Sequence, residues 1–218
     1  MAALIDVDQE TAATKARYDR IAPFYDAMEW FTERSSFQKW RQELWSRVPA
    51  GRVLEVGVGT GKNMPYYPPG AQMTAIDLSE RMLAQAQRRA KSLGLDVDLR
   101  QMDIQRLAFP DDSFDAVVAT FVFCSVPDPV QGLRELARVT RHGGAGIWLL
   151  EHVRVNKPLV GPLMDGLNPF VVRITGANIN RRTVENAQRA GLELVEVENL
   201  RGDLVKLIHA RPAPPHNR

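Results

Sequence analysis

The segment LEVGVGTGKN, residues 54–63, decides the fold of this chain because it joins a short apolar strand to a loop with glycine at alternate positions. Glycine lets the backbone adopt positive φ angles and approach a ligand closely. We expect a helix to follow the loop and to present its free N–H groups to a polar group of that ligand. A tight strand–helix turn without a ligand is the alternative interpretation of the same glycines.

Outward from this loop, apolar strands and amphipathic helices alternate along the chain. Strands are predicted at residues 53–56, 73–76, 97–101, 114–123, 146–150, 192–197 and 204–209, and helices at 80–92, 128–140 and 183–190. Ser79 and Gly94 have the residue types that begin and end helices. The alternation predicts a mostly parallel sheet with helices on both faces, and the ligands of such sheets bind at the carboxyl ends of the strands.

The composition of the whole chain narrows the class of protein. Its 218 residues are 44% hydrophobic and 25% charged with a net charge of +2, which suits one large folded domain. This balance excludes a disordered chain and gives no electrostatic argument for nucleic acid as a partner. The single cysteine, Cys124, excludes an internal disulfide and a cysteine-based zinc cluster, and we expect no metal site. Because no apolar run spans a membrane and residues 1–10 contain no basic residue, we expect a cytoplasmic protein without a signal peptide.

Acidic residues stand in or after three successive predicted strands. Glu55 lies two residues before the first glycine of the loop, and Asp77 ends the next strand, twenty residues after Gly57. A carboxylate at that place can accept hydrogen bonds from both hydroxyls of a ribose. Asp103 follows the third strand and could accept from an adenine amino group or simply cap a turn. The glycine spacing is G-x-G-x-G and differs from the G-x-G-x-x-G of dinucleotide-binding folds.

These segments together resemble the class I S-adenosylmethionine-dependent methyltransferases. The matching segments are LEVGVGTGKN (54–63), AIDLSERML (75–83), QMDIQRLAFPDDSFDAVVAT (101–120) and LRELARVTRHGGAGIWLLEH (133–152). The resemblance covers roughly residues 15 to 210. It implies a Rossmann-like α/β fold, with a seven-stranded, mostly parallel sheet, helices on both faces, an antiparallel last strand and an N-terminal helical lid.

The same resemblance implies a division of the chain and a set of binding residues. Residues 1–48 would form the N-terminal helical lid, 49–210 the methyltransferase domain with an apolar insertion at 156–175, and 211–218 a flexible tail. The cofactor would be S-adenosyl-L-methionine and the product S-adenosyl-L-homocysteine. The implied cofactor-binding residues are Tyr18, Tyr25, Glu55, Gly57, Gly59, Thr60, Gly61, Asn63, Asp77, Leu78, Met82, Asp103, Ile104, Thr120 and Phe121.

The segment YDRIAPFYD, residues 18–26, gives a narrower resemblance. It is similar to an N-terminal signature of the ubiquinone and menaquinone biosynthesis methyltransferases and the bacterial phosphatidylethanolamine N-methyltransferases, in which two tyrosines cap the cofactor pocket. Tyr18 and Tyr25 are seven residues apart, so both lie on one helical face if Pro23 does not break the helix. Two tyrosines in the core of an amphipathic helix are the alternative.

The C-terminal half resembles a third group, the membrane-associated thiol methyltransferases of animals and their bacterial relatives. The similar segments are FCSVPDP (123–129), LLEHV (149–153) and GANINRRTVENAQRAGL (176–192). Between them, residues 156–175 are apolar and contain several prolines and glycines. In this fold an insertion at that place usually lies over the acceptor, so we expect an apolar lid.

The candidate catalytic residues are Tyr25 and His152. His152 follows the fifth strand and could be a general base, although a hydrogen bond to a nearby loop would explain it equally well. Tyr25 could steer an amine through its hydroxyl or ring. His152, Asn178 and Arg182 are the candidate substrate-binding residues, with helix capping and solvation as the alternative for the arginine.

The acceptor predicted from these features is a small lipophilic molecule or a lipid head group, methylated at a membrane surface to which the protein binds peripherally. The amine of phosphatidylethanolamine is the leading acceptor, and a thiol and a quinol ring carbon are the alternatives. A nicotinamide-dependent oxidoreductase is an alternative of another class, and a non-catalytic cofactor-binding protein is a third.

Aromatic residues concentrate near the N-terminus, where eight of the sixteen lie between Tyr18 and Trp45. From Trp30 to Val48 the apolar residues recur on one helical face. Two interpretations of such a helix are open. It packs on the sheet, which we favour, or it exposes aromatic rings beside Arg34, Lys39, Arg41 and Arg47 as an interfacial helix.

Overall fold

A computed structural model describes residues 7–32 and 36–214, apart from the side chains of residues 27–32, 174 and 175. The strands are β1 (Arg52–Val56), β2 (Gln72–Asp77), β3 (Val97–Gln101), β4 (Ala116–Thr120), β5 (Gly146–His152), β6 (Leu192–Arg201) and β7 (Val205–Pro212). The helices are α1 (Val7–Thr32), α2 (Gln38–Ser46), α3 (Glu80–Leu93), α4 (Pro129–Val139), α5 (Val160–Thr175) and α6 (Thr183–Arg189). Each predicted strand and helix is therefore present, with ends shifted by a few residues.

All seven strands form one sheet in the order β3-β2-β1-β4-β5-β7-β6. The first five strands pair in parallel, and β7 lies antiparallel between β5 and β6. This confirms the predicted mostly parallel sheet with an antiparallel last strand. The strand order reverses direction between β1 and β4, and that switch point places a crevice at their carboxyl ends.

Local sequence signals set the helix ends. The Ser79 hydroxyl accepts a hydrogen bond from the Met82 N–H at the start of α3, and Gly94 ends that helix with φ of 65°. Asp128 caps α4 by accepting from the Gln131 N–H. Side-chain caps of this kind satisfy N–H groups that the helix itself leaves free, and each typically contributes about 1 kcal/mol. The start of α3 is therefore fixed at the mouth of the crevice.

Apolar side chains fill both faces of the sheet. Val117 and Leu149 lie on the face covered by α4 and α6, while Val118 and Leu150 lie on the face covered by α2. All four are fully buried, and burial of one such side chain stabilises the fold by about 1.5 to 3 kcal/mol. The strands that carry the site are therefore held rigidly from both sides.

Two local expectations are corrected. The glycine loop does not lead into an α-helix, because only a 3-10 turn, Met64–Tyr66, follows it. Pro65 is the second residue of this turn, and Pro68 and Pro69 behind it cannot donate the N–H groups that a longer helix needs. The strand predicted at 114–123 is also shorter, since β4 ends at Thr120 and the next residue has a positive φ.

The aromatic stretch packs on the sheet in α2 and just before it. Leu44 and Trp45 are buried, and the Trp45 ring lies 4.8 Å from that of Tyr67. Phe37 stacks on Phe121 at 4.6 Å. The packing interpretation is thus confirmed for this part, whereas the side chain of Trp30 and the whole of Arg34 lie outside the described residues. Arg41 is buried and Arg47 pairs with Glu43 and Glu198, so neither belongs to an exposed basic face.

The apolar segment 156–175 forms the helix α5 for most of its length. At the other end of the domain, β7 continues to Pro212, into the segment expected to be a tail. Among the residues that the structure describes, no helix is long and apolar enough to cross a membrane.

Candidate active site

A pocket of about 940 Å³ opens at the carboxyl ends of β1 to β4, beneath α1. Twelve of the residues predicted to bind the cofactor line its wall: Tyr18, Tyr25, Gly57, Gly59, Thr60, Asp77, Leu78, Met82, Asp103, Ile104, Thr120 and Phe121. The crevice predicted from strand alternation is therefore present, and these residues meet in it.

The glycine loop forms one wall of the pocket and needs its glycines. Gly57 has φ of 66°, and a Cβ added there would stand 2.5 Å from Cγ2 of Val122. Gly59 has φ of 55°, and a Cβ there would meet nothing within 4 Å. The first glycine therefore lets two loops pack together, while the second leaves open space at the pocket wall where a ligand can approach the backbone.

Asp77 holds the loop and faces the pocket. Its Oδ2 accepts a hydrogen bond of 2.8 Å from the Gly59 N–H, and its Oδ1 accepts one of 2.9 Å from the Ser79 N–H. Burial raises the pKa of this carboxyl, while the backbone hydrogen bonds lower it. Because a carboxylate has about four acceptor positions, each oxygen can accept one more hydrogen bond from a ligand hydroxyl.

Two aspartates of α1 fasten the helix over the pocket. Oδ1 of Asp19 accepts a hydrogen bond of 2.6 Å from the Ser79 hydroxyl at the start of α3. About two turns further along, Asp26 accepts from the Thr60 hydroxyl at 2.6 Å and from Arg89 at 2.5 Å. Both aspartates thereby tie α1 to loops that carry pocket residues.

Each of these aspartates directly follows a tyrosine that lines the pocket. The helix continues through Pro23, so Tyr18 and Tyr25 lie on one face, with ring centroids 6.4 Å apart. Nζ of Lys62 lies 5.6 Å from the centroid of the Tyr25 ring. Each Tyr-Asp pair therefore has a tyrosine that faces the pocket and an aspartate that holds the helix in place.

Arg41 is a pocket residue that the sequence reasoning did not assign to the site. It comes from α2, and its Nη1 donates to Asn63 Oδ1 at 2.9 Å and to Thr120 Oγ1 at 3.0 Å. The guanidinium also lies 5.7 Å from the centroid of the Phe121 ring. A buried guanidinium facing a pocket is suited to bind a ligand carboxylate.

Behind this wall, Glu55 organises the polar groups. Its Oε1 accepts from Asn63 Nδ2 at 2.5 Å, and its Oε2 accepts from the Tyr67 hydroxyl. The side chain is fully buried, and burial raises its pKa to about 7 against the opposing effect of those hydrogen bonds. The Asn63 amide also donates to Thr120 Oγ1 at 2.8 Å. Glu55 therefore acts through Asn63 and does not itself line the pocket.

The turn after β4 is strained and is held by a second buried acid. Phe121 has φ of 57°, which is uncommon for a residue with a side chain. The N–H groups of Val122 and Phe123 donate to Oε1 of Glu151 at 2.9 and 3.2 Å. Burial raises the pKa of Glu151 to about 7, and Oε2 has no hydrogen-bond partner among the described residues. Glu151 therefore fixes the loop that forms the pocket floor.

His152, the next residue, lies outside the pocket wall at the end of β5. Because side chains alternate along a strand, it shares a sheet face with Leu150, the partner of Thr120 in the parallel pairing. It is half-buried, and its imidazole has no hydrogen-bond partner within the described part of the chain. Burial lowers the pKa of its imidazole, which is therefore neutral at pH 7.

The remaining predicted site residues also lie outside the pocket wall. Asn178 donates to the Cys124 carbonyl at 3.0 Å and accepts from Asn168, so it links two loops and α5. Arg182 is exposed at the residue before α6. The residues outside the wall are Glu55, Gly61, Asn63, His152, Asn178 and Arg182.

Comparison with known proteins agrees with this geometry. Residues 54–147 match a family model described as a methyltransferase domain. A phosphatidylethanolamine N-methyltransferase of Cereibacter sphaeroides is 46% identical over 111 residues, which are 50% of this chain and 55% of that protein. The match thus spans about half the length of this relative. A demethylmenaquinone methyltransferase of Renibacterium salmoninarum is 32% identical over 80% of this chain and 72% of that protein.

A solved structure with the same fold is the crystal structure of the cyclase SpnF. It superposes with a TM-score of 0.62 and 28% sequence identity, covering 73% of this chain and 59% of that one. The pocket of this chain lies at the strand ends within the shared fold.

Proposed function

This chain belongs to the S-adenosylmethionine-dependent methyltransferases, and from that premise we propose that it methylates a lipophilic amine, with phosphatidylethanolamine as the leading acceptor. S-adenosylmethionine is its cofactor. The nicotinamide-dependent oxidoreductase and the non-catalytic binding protein are set aside, because the family and the G-x-G-x-G spacing agree on methyl transfer.

The pocket residues fit the adenosyl part of the cofactor. Asp77 retains an acceptor position on each oxygen, which suits the two adjacent hydroxyls of a ribose. Leu78, Met82 and Ile104 offer apolar walls for the adenine ring, and Asp103 offers an acceptor for its amino group. The open space at Gly59 lets the ligand approach the backbone.

The residues also fit the methionyl part. Arg41 provides a positive charge for the carboxylate, and Asn63 and Thr120 fix the direction in which the guanidinium points. The two tyrosine rings and Phe121 offer electron-rich surfaces to a positively charged group. The side chains thus change from acidic acceptors at the end proposed for the ribose to a basic donor at the end proposed for the carboxylate, as this cofactor requires.

When bound, S-adenosylmethionine supplies an electrophilic methyl group. The chain's own residues bind and align the reactants and exclude water. Asp19 and Asp26 hold α1 over the pocket, and Tyr18 and Tyr25 place their rings at its wall. Holding two reactants in a productive geometry can contribute several kcal/mol to lowering the barrier.

An amine acceptor has to lose a proton before its nitrogen can attack. His152 is the candidate base, because its imidazole is neutral at pH 7 and has no hydrogen-bond partner among the described residues. It extends from β5 on the sheet face that carries Thr120. The nitrogen lone pair is thereby made available, and the proton is held on the imidazole until solvent takes it.

The observation that carries the choice of acceptor is the pair of tyrosines at the pocket wall, 6.4 Å apart. Aromatic faces attract ammonium groups and can steer an amine into the site. The 46% identity to a phosphatidylethanolamine N-methyltransferase over half of this chain supports the same choice. A thiol and a quinol ring carbon remain the alternative acceptors.

A panel of acceptors tests the proposal. Initial rates of S-adenosylhomocysteine release are measured with phosphatidylethanolamine vesicles, alkyl thiols and demethylated quinols. We expect the vesicles to give the highest rate. Rapid turnover of a soluble thiol that vesicles do not change would overturn the lipid acceptor, and a quinol as the preferred substrate would replace it.

A further inference from the structure

Helix α5 exposes a continuous row of large apolar side chains. They are Leu159, Val160, Leu163, Leu167 and Phe170, called here the α5 stripe. Leu159 at the start of the helix is 85% exposed, and Phe170 near its end is 70% exposed. At 3.6 residues per turn, the five side chains project within an arc of about 100° around the helix axis. The stripe therefore forms one apolar surface along the helix.

One side of α5 packs on the protein. Gly161 and Met164 are buried on the opposite side, and the Val155 N–H points to the Met164 sulfur. Asp165, the helix's acidic residue, lies away from the stripe, bound to Arg154 at 2.8 Å and to Asn180 at 3.1 Å. The helix is therefore anchored by one face, and the apolar face turns outward without an acidic residue on it.

Basic residues flank the stripe at both ends. Lys157 is exposed two residues before it, and Arg173 is exposed three residues after Phe170. An apolar helix face bordered by basic side chains is complementary to an anionic bilayer, where the apolar groups enter the interface and the cations meet lipid phosphates. The helix itself has 16 residues, about 24 Å at 1.5 Å per residue, so it is too short to cross a bilayer core of about 30 Å.

Helix α5 is also connected to the pocket. Its Asn168 bonds to Asn178, and Asn178 donates to the Cys124 carbonyl in the loop whose next residues, Ser125 and Val126, line the pocket. A Cβ on Gly176, directly after α5, would stand 1.9 Å from a guanidinium nitrogen of Arg17, so α1 approaches α5 closely there. A surface that met the stripe would therefore lie close to the two elements that enclose the pocket.

We propose that the α5 stripe docks the enzyme on an anionic phospholipid bilayer, lying in the plane of the interface. This inference rests on the proposed lipophilic acceptor, because docking here brings the pocket to the place where such an acceptor is found. The segment expected from the sequence to form a lid contributes no residue to the described pocket wall. In this proposal it meets the bilayer at the outer surface of the protein.

Flotation with vesicles of phosphatidylcholine and phosphatidylglycerol tests the docking without any turnover. The variant L163E/F170E places two carboxylates in the stripe, and we expect about a tenfold or greater loss of vesicle binding. The matched control is L93E, because Leu93 on α3 is another exposed leucine, 44% accessible, outside the stripe. It should float like the wild type. Equal S-adenosylmethionine affinity of all three proteins, by calorimetry, shows that the variants are folded.

The basic flanks give a second measurement. K157E/R173E should lose binding to phosphatidylglycerol vesicles by about tenfold or more. Raised salt should weaken vesicle binding by the wild type in the same way. Pure phosphatidylcholine vesicles should bind poorly in every case. Binding that is independent of both phosphatidylglycerol and salt would overturn the anionic bilayer as the partner.

Two further results would overturn the docking proposal itself. One is wild-type flotation that L163E/F170E leaves unchanged. The other is a wild type that does not float with vesicles and is a dimer by sedimentation velocity, while L163E/F170E is a monomer. That result would make the stripe an interface between two copies of the chain. The two proposals can fail separately. If flotation depends on the stripe but phosphatidylethanolamine is not methylated, the docking proposal stands and only the proposed acceptor is wrong.

Discussion

Nη1 of Arg41 lies 3.0 Å from Oγ1 of Thr120, although 79 residues separate the two in sequence. The contact joins α2 to the end of β4, where the strained turn at Phe121 begins. It places a buried positive charge beside the pocket and fixes its direction through Asn63. The proposed binding site for the cofactor carboxylate thus depends on a helix that lies outside the strand–helix alternation.

Replacing Arg41 by methionine should weaken S-adenosylmethionine binding by about 1.5 to 3 kcal/mol, the typical contribution of a hydrogen bond to a charged group. Calorimetry with 5′-methylthioadenosine, which lacks the carboxylate, should show little change. K39M is the control, because Lys39 is an exposed cation on the same helix. An equal loss for both ligands would mean that Arg41 does not contact the carboxylate.

The close approach of Gly57 to Val122 predicts a difference between two glycines. Both G57A and G70A place alanine at a positive φ, which costs about 1 to 2 kcal/mol. Only at Gly57 would the new Cβ also stand 2.5 Å from Val122, adding about 1 to 3 kcal/mol of overpacking. Urea unfolding should therefore rank G57A below G70A, and only G57A should lose cofactor affinity. Equal stability of the two variants would contradict the predicted packing.

The buried carboxyl of Glu151 should make the free energy of unfolding depend on pH. Burial raises the pKa of its carboxyl from 4.5 to about 7 in the folded chain. Between those values the folded state holds a proton that the unfolded state releases, so the free energy of unfolding falls as pH rises and levels off above about 7. A shift of this size corresponds to about 3 kcal/mol.

In E151Q this contribution should be absent, while Glu55, whose pKa is raised in the same direction, still contributes. Urea unfolding of wild type and E151Q across the same pH window measures the difference. If the free energy of unfolding of the two proteins falls equally as pH rises, the pKa of Glu151 is not raised in the folded chain.

The proposed role of His152 as the base predicts that its replacement lowers kcat. H152Q should lower kcat by about a hundredfold, as expected when a general base is lost, and leave S-adenosylmethionine affinity unchanged. In the wild type, kcat should fall as pH drops below the lowered pKa of the imidazole, because the base becomes protonated. The variant should lack that fall. A wild-type rate and an unchanged pH profile in H152Q would assign the base elsewhere.

Much of the fold follows from local sequence signals. Strand alternation locates the crevice, and the position of Asp77 at a strand end predicts its place in the pocket. The glycine spacing predicts the loop but not the 3-10 turn, which depends on the prolines behind it. These elements are predictable because the residues that determine them are neighbours in the chain.

Contacts between distant parts of the chain could not be predicted in this way. An arginine such as Arg41, in a helix that also carries the exposed cation Lys39, has no sequence signal that marks it as buried. The apolar character of 156–175 was evident, but its outward orientation depends on Met164 and Gly161 packing inward. The tyrosines of the segment 18–26 were predictable from their spacing, whereas the contacts by which Asp19 and Asp26 hold α1 over the pocket join it to distant loops.

The identity of the acceptor atom is tested most directly by mass spectrometry of the lipid product. Wild-type enzyme is incubated with S-adenosylmethionine carrying an isotopically labelled methyl group and with vesicles that contain phosphatidylethanolamine, an alkyl thiol and a demethylated quinol. We expect the label on the head-group nitrogen of the phospholipid. An unlabelled phospholipid beside a labelled thiol or quinol would contradict it.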